Sequence, residues 1–247
     1  MFSNKLILTK THDFCAAKEP KLTVVFIHGI AADSSSFANA LEYLERQSPL
    51  NDVRFVAYDL LGSGQSYTDD KLNYDLNEQI EALHNSLEEL NPNTPLVLVG
   101  HSMGTFVVAR YASIYNESIT HLILVSPPIY TKEDLENPVF EKGMEVFRDA
   151  VSLKNRKILE TKAFNNSIKN IVQNKDNYKT LANIRIKATL IYGDADQFIA
   201  SFNLPKILAE NPNYVTAIRT VGHHSVSHEK YHKMADILER ILNAEII

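Results

Sequence analysis

A single cysteine, Cys15, stands among the 247 residues, so no internal disulfide can form. The chain suits a reducing compartment, and the cytoplasm is the expected location. No stretch approaches the roughly 18 apolar residues needed to span a bilayer. The segment Met1 to Lys10 alternates polar and apolar residues and lacks the apolar core and small-residue cleavage site of a secretion signal. Long runs of Lys and Arg are missing and the formal net charge is only −5. That removes the electrostatic footprint of a nucleic-acid binder or of stable attachment to an anionic membrane. The scattered histidines and lone cysteine have no metal-ligand spacing, so no metal is expected. No glycine-rich loop runs into the lysine and helix of a phosphate-binding turn, and no cofactor is expected either. The partner these absences leave is a small, neutral or weakly charged molecule; they leave the oligomeric state open.

What is present is an ordinary globular composition, 45% apolar and 22% charged, in a chain long enough for one α/β domain with an insertion. Short apolar runs bounded by turn residues recur at Leu22 to Ile27, Val53 to Tyr58, Leu96 to Val99, Leu122 to Val125, Ala188 to Tyr192 and Tyr214 to Val221. Lys5 to Thr9 adds a candidate antiparallel edge strand. Most runs precede segments of helical periodicity, the pattern of a mostly parallel central sheet flanked by helices. Asp75 with Glu78 resembles a capping box ahead of Ile80, Leu83, Leu87 and Leu90, with Pro92 and Pro95 closing that helix. Phe106, Val107, Tyr111 and Ile114 mark one face of another helix, and Tyr231, Met234, Ala235, Leu238, Ile241 and Leu242 one side of the final helix. These stripes read as core. Between Pro127 and Asn183 the strand rhythm stops and only amphipathic helical patterns remain. The expected division is therefore a core of residues 1–126 and 184–247 with a helical cap insertion at 127–183.

The sharpest local signal is Leu96-Val97-Leu98-Val99-Gly100-His101-Ser102-Met103-Gly104, an apolar strand running into Gly-x-Ser-x-Gly and then a helix. A serine hydroxyl is a poor nucleophile at neutral pH, so it must be exposed, oriented and served by a base. A sharp strand-to-helix turn exposes it, and a Cβ at Gly100 or Gly104 would collide with neighbouring elements. The start of the next helix brings its dipole and free amides to a developing oxyanion.

Four motifs in order, Phe26-Ile27-His28-Gly29-Ile30, Asp59-Leu60-Leu61-Gly62-Ser63-Gly64-Gln65-Ser66, Gly100-His101-Ser102-Met103-Gly104 and Tyr192-Gly193-Asp194-Ala195-Asp196, make nearly the whole sequence resemble the α/β-hydrolase fold family. The resemblance implies an eight-stranded sheet, or slightly fewer strands, with a cap inserted after the strand ending near Ser126. It also implies the triad order serine, acid, histidine. The family's acid usually stands three residues after the glycine, which selects Asp196 over Asp194; Asp194 is left to hydrogen-bond turn amides. A glycine commonly precedes the family's histidine, which favours His223 in Gly222-His223-His224. His224 stays an alternative, because one residue of loop drift exchanges the two. His228 is assigned to the start of the final helix, and His12, His84, His121 and His232 to the surface. The oxyanion donors implied are the backbone N–H groups of Ile30 and Met103, while His28, Gly29 and Asp59 are read as structural. Phe37 replaces a tryptophan frequent in the family, with no catalytic group affected.

A serine at this turn disfavours the aspartate-nucleophile reactions of dehalogenase-like and epoxide-hydrolase-like relatives. The expected activity is cleavage of a small-molecule carboxylic ester, or thioester, through an acyl-enzyme on Ser102. Carbon–carbon bond hydrolysis and acyl transfer are the rivals within enzymes, and a hydrolase-like ligand-binding protein is the rival outside them. Tyr130, Phe140, Phe147 and Phe164 in the cap suggest an apolar chamber for the substrate.

Overall fold

The computed structural model describes residues 5–66, 68–90, 94–154, 161–224 and 231–246. Among these, seven strands form one sheet: β1 (Thr9–Phe14), β2 (Leu22–Ile27), β3 (Val53–Asp59), β4 (Leu96–His101), β5 (Ile119–Val125), β6 (Ala188–Gly193) and β7 (Val215–Thr220). Their spatial order is β1-β3-β2-β4-β5-β6-β7. Only β1 runs antiparallel to its neighbour, and the other ladders are parallel. Every residue of β2 and β4 is buried, because helices cover both sheet faces, and this is why these strands read as unbroken apolar runs.

Side chains alternate between two cores. Val25 and Ile27 of β2 point to one, which also holds helices α2 (Leu76–Glu88) and α3 (Met103–Ile114); Leu22, Val24 and Phe26 point to the other, beneath α1 (Ala38–Glu45) and the final helix Tyr231–Ile246. The expected face of the final helix holds: Met234, Ala235, Leu238 and Leu242 are buried, with Tyr231 and Ile241 packed at the margin. Ile114 departs from its expected face and is half exposed at the last turn of α3. The Asp75 cap forms, its Oδ1 accepting from the amides of Asn77 (2.9 Å) and Glu78 (3.0 Å). The reciprocal half of the box does not, since Glu78 Oε1 accepts from Asn73 N–H instead. Pro92 lies outside the described residues.

The edge strand lies further along than Lys5 to Thr9. Its position at Thr9–Phe14 is set by contacts with β3, including a two-bond ion pair of Arg54 to Asp13 (2.7 Å each). That pair holds the Asp13 carboxyl down to about 2. Between β5 and β6 the described chain is helical only: α4 (Lys132–Leu135), α5 (Pro138–Lys154), α6 (Thr161–Ser167), a π-helical turn Ile168–Val172 and α7 (Asn177–Ala182). Met144, Phe164, Ile168 and Ile171 of this stretch are buried in the α2–α3 core. Helix α8 (Leu204–Glu210) links β6 to β7. No helix among the described residues is long and apolar enough to cross a membrane.

Candidate active site

The site grows from the C-terminal ends of β4, β6 and β7. At the end of β4 the chain must reverse into α3 within one residue, and Ser102 takes φ 51°, ψ −119°, a conformation costly for an L-residue. Tight packing holds it there. The Ser102 amide donates to the Val125 carbonyl (2.9 Å), and the Thr105 hydroxyl donates to the Ser102 carbonyl (2.6 Å). The flanking glycines are where the backbones touch. A Cβ on Gly100 would lie 2.6 Å from the Gly104 carbonyl oxygen, and one on Gly104 would lie 2.4 Å from that of Ile27.

Asp196 follows β6 in a turn laced to the loop after β7. Ala195 N–H donates to the Gly222 carbonyl (3.0 Å) and Gly222 N–H to Asp194 Oδ1 (3.2 Å). Asp194 is thus the turn-holding carboxylate expected of it. The Asp196 side chain is fully buried and accepts from Phe198 N–H (2.9 Å).

The histidine that meets this carboxylate is His224, which corrects the expectation of His223. His224 Nδ1 lies 2.9 and 3.0 Å from the two Asp196 oxygens, and its Nε2 lies 2.7 Å from Ser102 Oγ. His223 is exposed and points elsewhere, its Nδ1 3.3 Å from the Ala195 carbonyl. The cause is local: Gly222 has φ 149°, and its carbonyl fills the space a Gly193 side chain would take. This backbone crossing turns residue 223 outward and residue 224 inward.

The loop after β2 arrives over Ser102. A Cβ on Gly29 would come within 2.9 Å of Ser102 Cβ, so only glycine lets it pass. Neither Ile30 N–H nor Met103 N–H has an acceptor among the described residues. His28 orders this loop as expected, Nδ1–H donating to the Gly29 carbonyl (2.7 Å) and Nε2 accepting from Leu60 N–H (2.9 Å). Complete burial pushes its pKa down. Asp59 is equally structural, accepting from the amides of Ser34 (2.9 Å) and Gln65 (2.8 Å).

Of three neighbours of the Ser102–His224–Asp196 line, His101 and Phe198 had no functional reading in the sequence, and Tyr130 was expected only as an aromatic lining an apolar chamber. His101, buried between Gly29 and His224, has its pKa lowered to about 4, first by burial and then by the nearby His224. Phe198 stands edge-on to His224 with ring centres 5.2 Å apart. Tyr130 reaches from the start of the insertion to donate its hydroxyl to the Phe198 carbonyl (2.7 Å), and packs against Phe140 at 4.5 Å. Burial raises the Tyr130 pKa to about 12, so it remains a donor. No sequence pattern marks Phe198 or its contact with Tyr130, because that contact joins distant loops. Of the other aromatics expected in a cap, Phe164 is buried core, while the side chain of Phe147 lies outside the described residues. His121 also departs from its surface assignment: it is buried and bonded to Thr189 Oγ1 (2.9 Å). His228 lies outside the described residues. Among the described residues, no group of three His, Cys, Asp or Glu side chains is placed to hold a metal ion.

Residues 23–167 match the family model described as alpha/beta hydrolase fold. Over 119 residues the chain is 33% identical to a probable lysophospholipase, BODYGUARD 5, of Arabidopsis thaliana, a match covering 48% of this chain and 27% of that protein. Over 152 residues it is 32% identical to a 1-acylglycerol-3-phosphate O-acyltransferase of the same plant, covering 60% of this chain and 34% of the relative. The matches thus span about a third or less of those relatives. Among solved structures, one from work on carboxylesterases of Nitrososphaera gargenis superposes with a TM-score of 0.76 at 18% identity, over 100% of this chain and 98% of the other.

Proposed function

Because the chain belongs to the α/β-hydrolase fold family, we propose that it is a serine hydrolase that cleaves a small-molecule carboxylic ester or thioester through an acyl-enzyme on Ser102. The observation that carries this reading is the continuous hydrogen-bonded line from Ser102 Oγ through His224 to the buried Asp196, with contacts of 2.7 and 2.9 Å.

With Nδ1–H donated to Asp196, His224 Nε2 carries the lone pair that accepts the Ser102 proton as Oγ attacks the acyl carbon. The C–O bond forms, the carbonyl electrons move to oxygen, and the amides of Ile30 and Met103 receive that oxyanion. Collapse expels the alkoxide or thiolate, which takes the proton back from His224 Nε2. Water then attacks the acyl-enzyme with His224 as base again, releasing the acid and restoring Ser102. Asp196 keeps the tautomer and offsets the imidazolium charge.

The acyl-processing relatives agree with this chemistry, and their names add acyl transfer as a competing outcome: an alcohol in place of water at the second step. Two observations favour an apolar acyl or leaving group, the Phe198 ring against His224 and the Tyr130–Phe140 pair behind it. The test is labelling by a fluorophosphonate and turnover of p-nitrophenyl acetate, butyrate and octanoate. Ser102→Ala and His224→Ala should each lose at least about 1,000-fold in kcat, and His223→Ala should stay within a few-fold. If the wild type neither labels nor turns over any of these esters, the reading fails and a ligand-binding role takes its place. If His223→Ala is the inactive variant, the base assignment fails. Added alcohol converts product from acid to ester if transfer competes.

A further inference from the structure

His101 carries a contact that the triad itself does not use. Its Nε2 lies 2.9 Å from the backbone carbonyl of His224, and a carbonyl only accepts, so Nε2 bears the hydrogen. Its Nδ1 is buried with no hydrogen-bond partner among the described residues. The ring is thus held as one neutral tautomer, in a slot where a Gly29 side chain would come within 3.2 Å of Nδ1.

We propose that His101 is a positioning residue that fixes the backbone of His224 to the nucleophile strand, a role that rests on the hydrolase reading above. Two backbone anchors bracket the base. On one side Gly222 accepts from Ala195 N–H of the acid turn (3.0 Å); on the other His224 accepts from His101 (2.9 Å). His101 precedes Ser102 directly in the chain, so its bond makes the base loop and the nucleophile move as one body. A shift of the His224 backbone away from Ser102 then requires breaking it. Neutrality is part of the role. The ring centres of His101 and His224 are 5.4 Å apart, so a cationic His101 would oppose the imidazolium that forms during turnover. Burial, which keeps His101 neutral down to about pH 4, prevents that.

Three variants separate donor, reach and bulk. His101→Phe fills the slot without a donor, His101→Gln carries an N–H at the reach of Nε2, and His101→Asn carries one too short to meet the His224 carbonyl. The readouts are kcat and KM for p-nitrophenyl butyrate, the fluorophosphonate labelling rate and Tm. The Phe and Asn variants should lose roughly 10- to 100-fold in kcat and in labelling rate with KM within about two-fold, the scale of a small misplacement of catalytic groups. Gln should recover most of the loss. If Phe does not fold, the Asn–Gln contrast decides. The proposal is overturned if folded Phe or Asn keeps wild-type kcat, or if Gln falls as far as they do. A wild type without turnover or labelling overturns instead the hydrolase reading beneath it.

Discussion

Acidification from pH 7 to pH 5 should destabilise this protein chiefly through two buried histidines, and the size of the effect follows from where they sit. His101 titrates near 4 in the fold and near 6.5 in the unfolded chain. Between those values the unfolded chain binds the extra proton, so stability is full above about pH 6.5 and is lost as the pH falls toward 4. At pH 5 the unfolded imidazole is almost wholly protonated and the folded one only about a tenth so, which amounts to about 2 kcal/mol relative to pH 7. His28, fully buried and shifted in the same direction, adds to the slope. Asp13, held near 2 by Arg54, titrates below this window and does not confuse it. Denaturant unfolding at pH 7, 6 and 5 on wild type and His101→Gln checks the argument. The Gln variant, which cannot titrate there, should lose about 2 kcal/mol less than wild type over that range. Parallel stability–pH curves for the two proteins would refute the claim that His101 is buried neutral.

Two further substitutions probe the backbone around the site. Gly104→Ala forces a methyl to 2.4 Å from the Ile27 carbonyl and 2.5 Å from that of His28; since both obstacles are sheet-end backbone, the variant should lose at least about 3 kcal/mol or fail to accumulate folded. A melting temperature within about two degrees of wild type would show that the end of β2 and the start of α3 yield. Asp75→Ala removes the acceptor of two α2 amides and should cost about 1 kcal/mol, with Asp75→Ser recovering most of it in thermal melts.

β2 and β4 are legible because burial on both faces leaves few polar positions to blur a strand. Leu22 to Ile27 emerges with the same ends in the sequence and in the fold. β1 was misplaced for the opposite reason. None of its residues is buried, its register shifts between Lys10 and His12, and Arg54 of the neighbouring strand pairs with its Asp13. Nothing in Thr-Lys-Thr-His-Asp-Phe announces such a partner. His121 was lost similarly, since β5 begins three residues before the apolar run and buries a histidine whose partner, Thr189, lies on β6.

The hydrogen-bonded line of Ser102, His224 and Asp196 shows where pattern reading stops. Ser102 and Asp196 sit in turns whose geometry is dictated by glycines nearby in sequence, Gly100 and Gly104 for one and Gly193 for the other, so local motif and spatial position coincide. His224 does not have this protection. Gly222, His223 and His224 follow β7 in a bend and turn, with Gly222 at φ 149°. The sequence supplies two adjacent imidazoles for one place beside Ser102, and the choice between them is made elsewhere. It is decided by the crossing of Gly222 over Gly193, and held by a carbonyl that finds its donor in His101, 123 residues back along the chain.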